Sequence, residues 1–148
     1  MATTSDAIAA VRSRLDSGGI AFTLYYDGDD APILPDAPAT FGYVEFQGQG
    51  SVAAAYGGGR GGNVYRNSAL VNVWVFSPIG YGAEAATTHA EPVAARLRSY
   101  RDEVISIFKA DVIHMGQGSN LSVPGLVSEV SNYQCALVEA FVQFDQIG

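Results

Sequence analysis

The chain has 148 residues, about the size of one domain, and 48% are hydrophobic, enough for a substantial core without disulfides or metals. Charged residues make up only 16%, against about 25% in typical soluble domains, so a surface partly hidden by neighbours is expected. Eight Lys and Arg face fifteen Asp and Glu, a net charge of −7, and the one cationic cluster, Arg96, Arg98 and Arg101, sits among Glu91, Asp102 and Glu103, which disfavours direct nucleic-acid binding.

The first expected element is a short amphipathic helix. Thr4 or Ser5 can cap it, and Asp6 complements the positive end of its dipole. Ile8, Val11 and Leu15 recur at helical spacing, Arg12, Arg14 and Asp16 take the opposite face, and Gly18 and Gly19 end it. A β-branched and aromatic run, residues 20–26, predicts a strand. Residues 27–40 carry three prolines and four aspartates and predict a loop. Residues 41–47 predict a second strand, with Phe41, Tyr43, Glu45 and Gln47 on one face and Val44 and Phe46 on the other.

The stretch from Gly48 to Asn63 is the least regular. Residues 51–56 can form a strand, and the glycine-rich residues 57–62 predict a mobile tip that orders on contact with a partner. Residues 68–76 give the strongest strand signal: Val71, Val73 and Val75 share one face, and Leu70, Asn72, Trp74 and Phe76 the other. Residues 83–108 have helical character, because Val93, Leu97, Tyr100, Val104, Ile107 and Phe108 keep close to a 3.6-residue period. Pro92 then either kinks one long helix or opens a second one near Glu91. Residues 112–116 predict a short strand, 117–120 a turn, 127–130 a further strand and 133–145 a long apolar strand. The order predicts an α+β fold in one domain spanning residues 1–148: a mostly antiparallel β-sheet packed by a short N-terminal helix and one long helix.

No catalytic set, cofactor site or metal site emerges from these residues. His89 and His114 have no second ligand at metal-binding spacing, so both read as structural. Cys135 stands alone in an apolar strand and reads as a small hydrophobe. Gly57, Gly59 and Gly62 match a GxGxxG spacing, but a run this rich in glycine matches almost any glycine pattern, and no P-loop lysine follows. Asp27, Asp29, Asp30 and Asp36 crowd one loop without an EF-hand pattern and read as a solvated acidic loop. The opening MATTSDAIAAVRSRL does not read as a signal peptide. No apolar run approaches the roughly 18 residues of a spanning helix, so a soluble protein without membrane contact, made in a cytoplasm, is expected. Arg60, Asn63 and Tyr65 on the hairpin and Asp29 and Asp30 on the acidic loop are the candidate interface residues.

The layout resembles the tail terminator proteins of long-tailed bacteriophages and gene transfer agents. The opening helix over residues 7–15 precedes the first strand, and a Pro/Asp-rich loop leads to Phe41–Phe46. A loose hairpin precedes the apolar strand Ala69–Phe76, residues 80–85 lead into a long helix ending at Val104–Phe108, and a strand pair and an apolar C-terminal strand close the chain. The resemblance implies a virion protein at the head-proximal end of the tail, assembled in the host cytoplasm as a ring homo-oligomer, usually a hexamer. Its implied partners are copies of itself, the tail tube protein and the head–tail connector proteins. It would stop tube polymerisation and offer a surface for head attachment, while DNA passes through an acidic lumen without specific binding. A neighbouring neck or tail component (a head–tail joining, tail completion or tube protein) and a small ligand-binding α+β domain are the alternative readings.

Overall fold

In a computed structural model, residues 3–29, 39–55, 64–117 and 132–147 are described. Seven elements follow one another among the described residues: α1 (Thr4–Asp16), β1 (Thr23–Tyr26), β2 (Phe41–Ala55), β3 (Val64–Pro78), α2 (Ala85–Leu97), β4 (Ser106–Gln117) and β5 (Tyr133–Ile147). The strands form one mixed sheet in the order β1-β2-β3-β5-β4. β1 runs parallel to β2, and the other three pairings are antiparallel. The fold is therefore α+β.

Both helices lie on one face of the sheet. Val71, Val73 and Val75 of β3 and Ala136, Val138 and Ala140 of β5 point to that face. They meet Ala7, Val11 and Leu15 of α1 and Ala86, Ala90, Val93, Ala94 and Leu97 of α2 in a single buried cluster. Small residues on both α2 and β5 let helix and sheet approach closely. Ile8, expected in the apolar stripe of α1, sits at the rim and is 42% exposed. The cap of α1 is Thr3, earlier than Thr4 or Ser5. Its hydroxyl accepts from the Asp6 N–H, and the Asp6 carboxylate accepts from the Thr3 N–H, which completes a capping box. Only this reciprocal pair satisfies two of the helix's orphan donors, which decides the start.

The two helices are latched at their C-terminal ends. The Arg14 side chain donates to the Arg96 carbonyl at 2.9 Å, and Arg96 donates to the Arg14 carbonyl at 3.0 Å and to the Ser17 hydroxyl at 2.8 Å. These cations take up carbonyls that a helix terminus leaves unpaired. The first strand is shorter than residues 20–26, and Gly42 shows why it can sit where it does. A Cβ at Gly42 would lie 2.5 Å from Leu24 Cδ2 and 3.2 Å from Phe22, so glycine lets β1 close onto β2.

The long helix expected over residues 83–108 is not formed. α2 ends at Leu97, Arg98 turns extended and Ser99 takes a left-handed φ of 59°. Asp102 then builds a tight turn: its Oδ1 accepts from the N–H groups of Val104 and Ile105, and Tyr100 donates to Oδ2. Burial opposes the charge of Asp102, but these hydrogen bonds outweigh it and hold the carboxyl below its usual range. Ile107 and Phe108 therefore belong to β4, which is twelve residues long and not the short strand 112–116. Residues 51–55 continue β2 and do not form a separate strand. The glycine run 57–62 and the strand expected over 127–130 lie outside the described residues, as do residues 118–120 of the expected turn, while Gln117 ends β4.

Pro92 stands inside the single helix α2, neither opening it nor dividing it. It has no N–H to donate to the Thr88 carbonyl, and its ring crowds that carbonyl. Pro92→Ala should therefore raise stability by about 1–3 kcal/mol, read as a higher urea midpoint with an unchanged slope. An equal or lower midpoint would show that α2 bears the proline at no cost.

Candidate functional site

Among the described residues, the other face of the sheet carries no helix, and its side chains can be read row by row from the register. One row runs Tyr43–Trp74–Leu137–Ile113 across β2, β3, β5 and β4. The next is Glu45–Asn72–Glu139–Asp111, and the third Gln47–Leu70–Phe141–Lys109. Directly opposed residues in such rows have Cβ atoms about 4.5–5.5 Å apart.

One end of this face closes on itself. Phe41, Tyr43, Phe76, Tyr133 and Cys135 are buried together, with Tyr25, Trp74 and Met115 packed against them. Phe41 stacks on Phe76 with centroids 4.9 Å apart and meets Tyr133 edge-on at 5.3 Å. Tyr43 donates its hydroxyl to Asp27 at 3.3 Å. Burial, then the nearby Asp27 charge and that hydrogen bond, pushes the Tyr43 phenol up to about 12. Burial also pushes the Cys135 thiol up to about 12, against a backbone hydrogen bond from Val75 that lowers it. A thiol held protonated is no nucleophile. Cys135 should react with a thiol reagent at pH 8 only as fast as the protein unfolds, and native-state labelling at the rate of a free thiol would contradict its burial.

The other end is open. Phe108 lies at a register shift between Ile107 and Lys109, is 58% exposed, and stacks on half-buried Phe141 with centroids 6.2 Å apart. A bulge of this kind re-aims a side chain out of strict alternation. Lys109 sits 5.5 Å over the Phe141 ring and pairs with Asp111 at 3.2 Å. Ile113 is 39% exposed, and Leu70 and Trp74 are half-buried.

Between the two ends lies the acidic row. Trp74 donates its indole N–H to Glu45 Oε1. Burial nevertheless raises the Glu45 carboxyl above the usual range, the Trp74 hydrogen bond lowers it, and Asp27 raises it further. Asn72 Oδ1 is screened from solvent and accepts no hydrogen bond. The folded state holds the Glu45 proton more tightly than the unfolded chain does. This group therefore adds stability as pH falls through its folded pKa, and its charge costs stability at neutral pH. Glu45→Gln keeps an acceptor for Trp74, so it should be more stable than the parent at pH 7. The difference should vanish near about pH 4.3, where a free glutamate titrates. A variant less stable at pH 7, by an amount unchanged at pH 4, would contradict this.

The residues singled out from the sequence are placed elsewhere. Asp29 accepts two hydrogen bonds from Arg12, at 3.2 and 2.7 Å, and Arg12 lies 4.3 Å over the Tyr26 ring. Tyr65 is half-buried on β3, opposite Ala53 and Gln146. Asp27, two residues before Asp29, is anchored to β2 at Val44, nine residues from Ala53, so Tyr65 lies about 30 Å further along the strand. The structure thus does not gather Asp29 and Tyr65 into one site. Arg60, Asn63 and Asp30 lie outside the described residues. His89 meets the edge of Phe22 at 5.8 Å, and exposed His114 lies opposite Ala136. Among the described residues, no group of three His, Cys, Asp or Glu is placed to hold a metal ion. None of their helices is long and apolar enough to cross a membrane.

A groove of about 510 Å³ opens beside the turn before β4 and is lined by Arg66, Arg101, Asp102, Glu103, Phe108 and Asp145 among others. Arg66 and Asp145 are committed to each other at 2.9 and 3.2 Å. The groove holds charges of both signs and no nucleophile with an activating base. Sequence reasoning missed Glu45, Glu139 and Arg101 as surface chemistry, although the signal was present: Asn72 and Glu139 each interrupt an otherwise apolar strand.

No protein-family model matches the chain. No curated protein sequence matches it either. Ten chains of known structure do. One of them, whose name makes no statement of function, shares 14% sequence identity, is covered over 99% of both chains and superposes with a TM-score of 0.56. At that identity the likeness is one of fold alone.

Proposed function

We propose that the chain is a structural virion protein: a ring-forming tail terminator that caps the head-proximal end of a tail tube. The observation that carries this reading is the succession of elements among the described residues. An opening helix, a first strand, a long hairpin, a second helix and two further strands follow in the order that the resemblance to tail terminators implies, although the second helix ends at Leu97 and not at Phe108. The helix-free face supports it independently. Exposed Phe108 and Ile113 and half-buried Leu70, Trp74 and Phe141 form an apolar margin suited to burial by another protein.

The mechanism is geometric. In a cyclic ring each contact is heterologous, one patch meeting a different patch on the next copy. One face of the ring matches the last ring of the tube. The opposite face lacks the surface that a further tube subunit needs, so growth stops there and the head connector docks. With a net charge of −7 per subunit, a ring repels DNA from its lumen, so the genome passes without sticking.

Removing the gene from its virus or transfer agent should give tails of irregular, excessive length in electron micrographs. Tails of normal length that stay detached from heads would assign the protein to head–tail joining instead. Normal, head-bound tails would remove it from the neck altogether.

A further inference from the structure

We infer that Glu139, in one row with Asn72 and Glu45, receives the guanidinium of Arg101 from a second copy of this chain, so that the helix-free face of one subunit seats the turn after α2 of the next. The inference rests on the reading of the chain as a self-assembling ring subunit and names the contact that would close the ring.

The acceptors come first. Glu45, Asn72 and Glu139 stand side by side on β2, β3 and β5. Trp74 supplies one donor to Glu45, Asn72 Oδ1 has none, and no described residue donates to the Glu139 carboxylate. Asp111, the fourth residue of the row, is already paired with Lys109. Two half-buried carboxylates thus flank Asn72, two strand spacings or about 10 Å apart, without a cation among the described residues, rimmed by Trp74, Leu70, Phe141 and Phe108. Burial already raises the Glu45 carboxyl, and an arriving cation would reverse that effect.

The donors are as specific. Arg12 is held by Asp29, and Arg66 by Asp145. Arg14, Arg96 and Arg98 are spent on carbonyls, the last on Ala110 at 2.8 Å. Arg101 alone among the described arginines is exposed with no side-chain partner among the described residues. It cannot reach the acidic row from there. Arg101 bridges Ser106, Ser106 lies opposite Gln143, and Gln143 is four residues, about 13 Å, along β5 from Glu139. The unpaired cation and the unpaired anions therefore meet only between copies. Because they occupy different patches, the contact is heterologous and propagates around a ring. A guanidinium fits better than an ammonium, since its planar fork can serve both oxygens of one carboxylate at once.

The test is sedimentation of the full-length chain over a concentration series, with Arg101→Glu, Glu139→Arg, their equimolar mixture and the double variant, each checked for native circular dichroism. Each single variant should associate at least tenfold more weakly than the parent, because like charges face each other at every contact. The mixture should assemble again in alternating rings, and the double variant should recover as well. Single variants that associate like the parent, or a mixture and double variant that recover nothing, overturn the inference while leaving self-assembly intact. A parent chain that stays monomeric at every concentration overturns the ring reading itself. If Glu139→Arg does not fold, Glu139→Gln and Arg101→Gln replace the reversals: weakened association of both is expected, and association of either equal to the parent overturns the contact.

Discussion

The pairing of β3 with β5 governs the rest of the molecule. Val64–Pro78 lies against Tyr133–Ile147 over fifteen residue pairs without a register shift, whereas the β2–β3 and β4–β5 pairings each contain irregularities. A slip of one residue would turn Val71, Val73 and Val75 away from the helices and bring Leu70, Asn72 and Trp74 beneath them. Burying Asn72 and Glu139 under α2 without partners would cost several kilocalories per mole, so the hydrophobic pattern and the polar exceptions specify one register together. α2 and the turn at Asp102 depend on that choice, because β4 can only add to the edge that β5 presents.

From this register comes a molecule with two unlike faces. The helical face is finished: aliphatic and small side chains fill it, and the reciprocal Arg14–Arg96 hydrogen bonds lock its helices. The opposite face is finished only at one end, where Phe41, Phe76 and Tyr133 pack together. Its remainder alternates apolar rows with one acidic row. In a lone subunit Glu45 has only the Trp74 indole as a partner among the described residues, and Glu139 has none. An assembled one gains orientation, since a charged row recognises its complement in one position while apolar margins exclude water around it.

Much of the fold was legible in the sequence, and the failures share a cause. The strand at residues 68–76 was legible because its two faces carry different chemistry, and the structure keeps both faces as read. The helix at residues 85–97 was legible as well, but its end was not. Tyr100, Val104, Ile107 and Phe108 continue a helical period by coincidence, and short apolar runs fit both periods. The break lies at Ser99, a residue with no special liking for its left-handed backbone. Asp102, whose carboxylate ties the next turn, was the available clue. The surface was harder still. Glu45 and Asn72 are 27 residues apart in sequence, and only the strand register makes them neighbours. Of the interface residues read from loop composition, Asp29 is paired with Arg12 and Tyr65 lies far along the hairpin.

The central claim is that the helix-free face is completed by another copy of the chain. Hydroxyl-radical footprinting across the concentration range of assembly tests it most directly, because it reads side-chain exposure at Phe108, Phe141, Trp74 and Ile113 in the native protein. The account predicts that these four lose reactivity together as oligomer forms. Oligomer formation with their reactivity unchanged would contradict it.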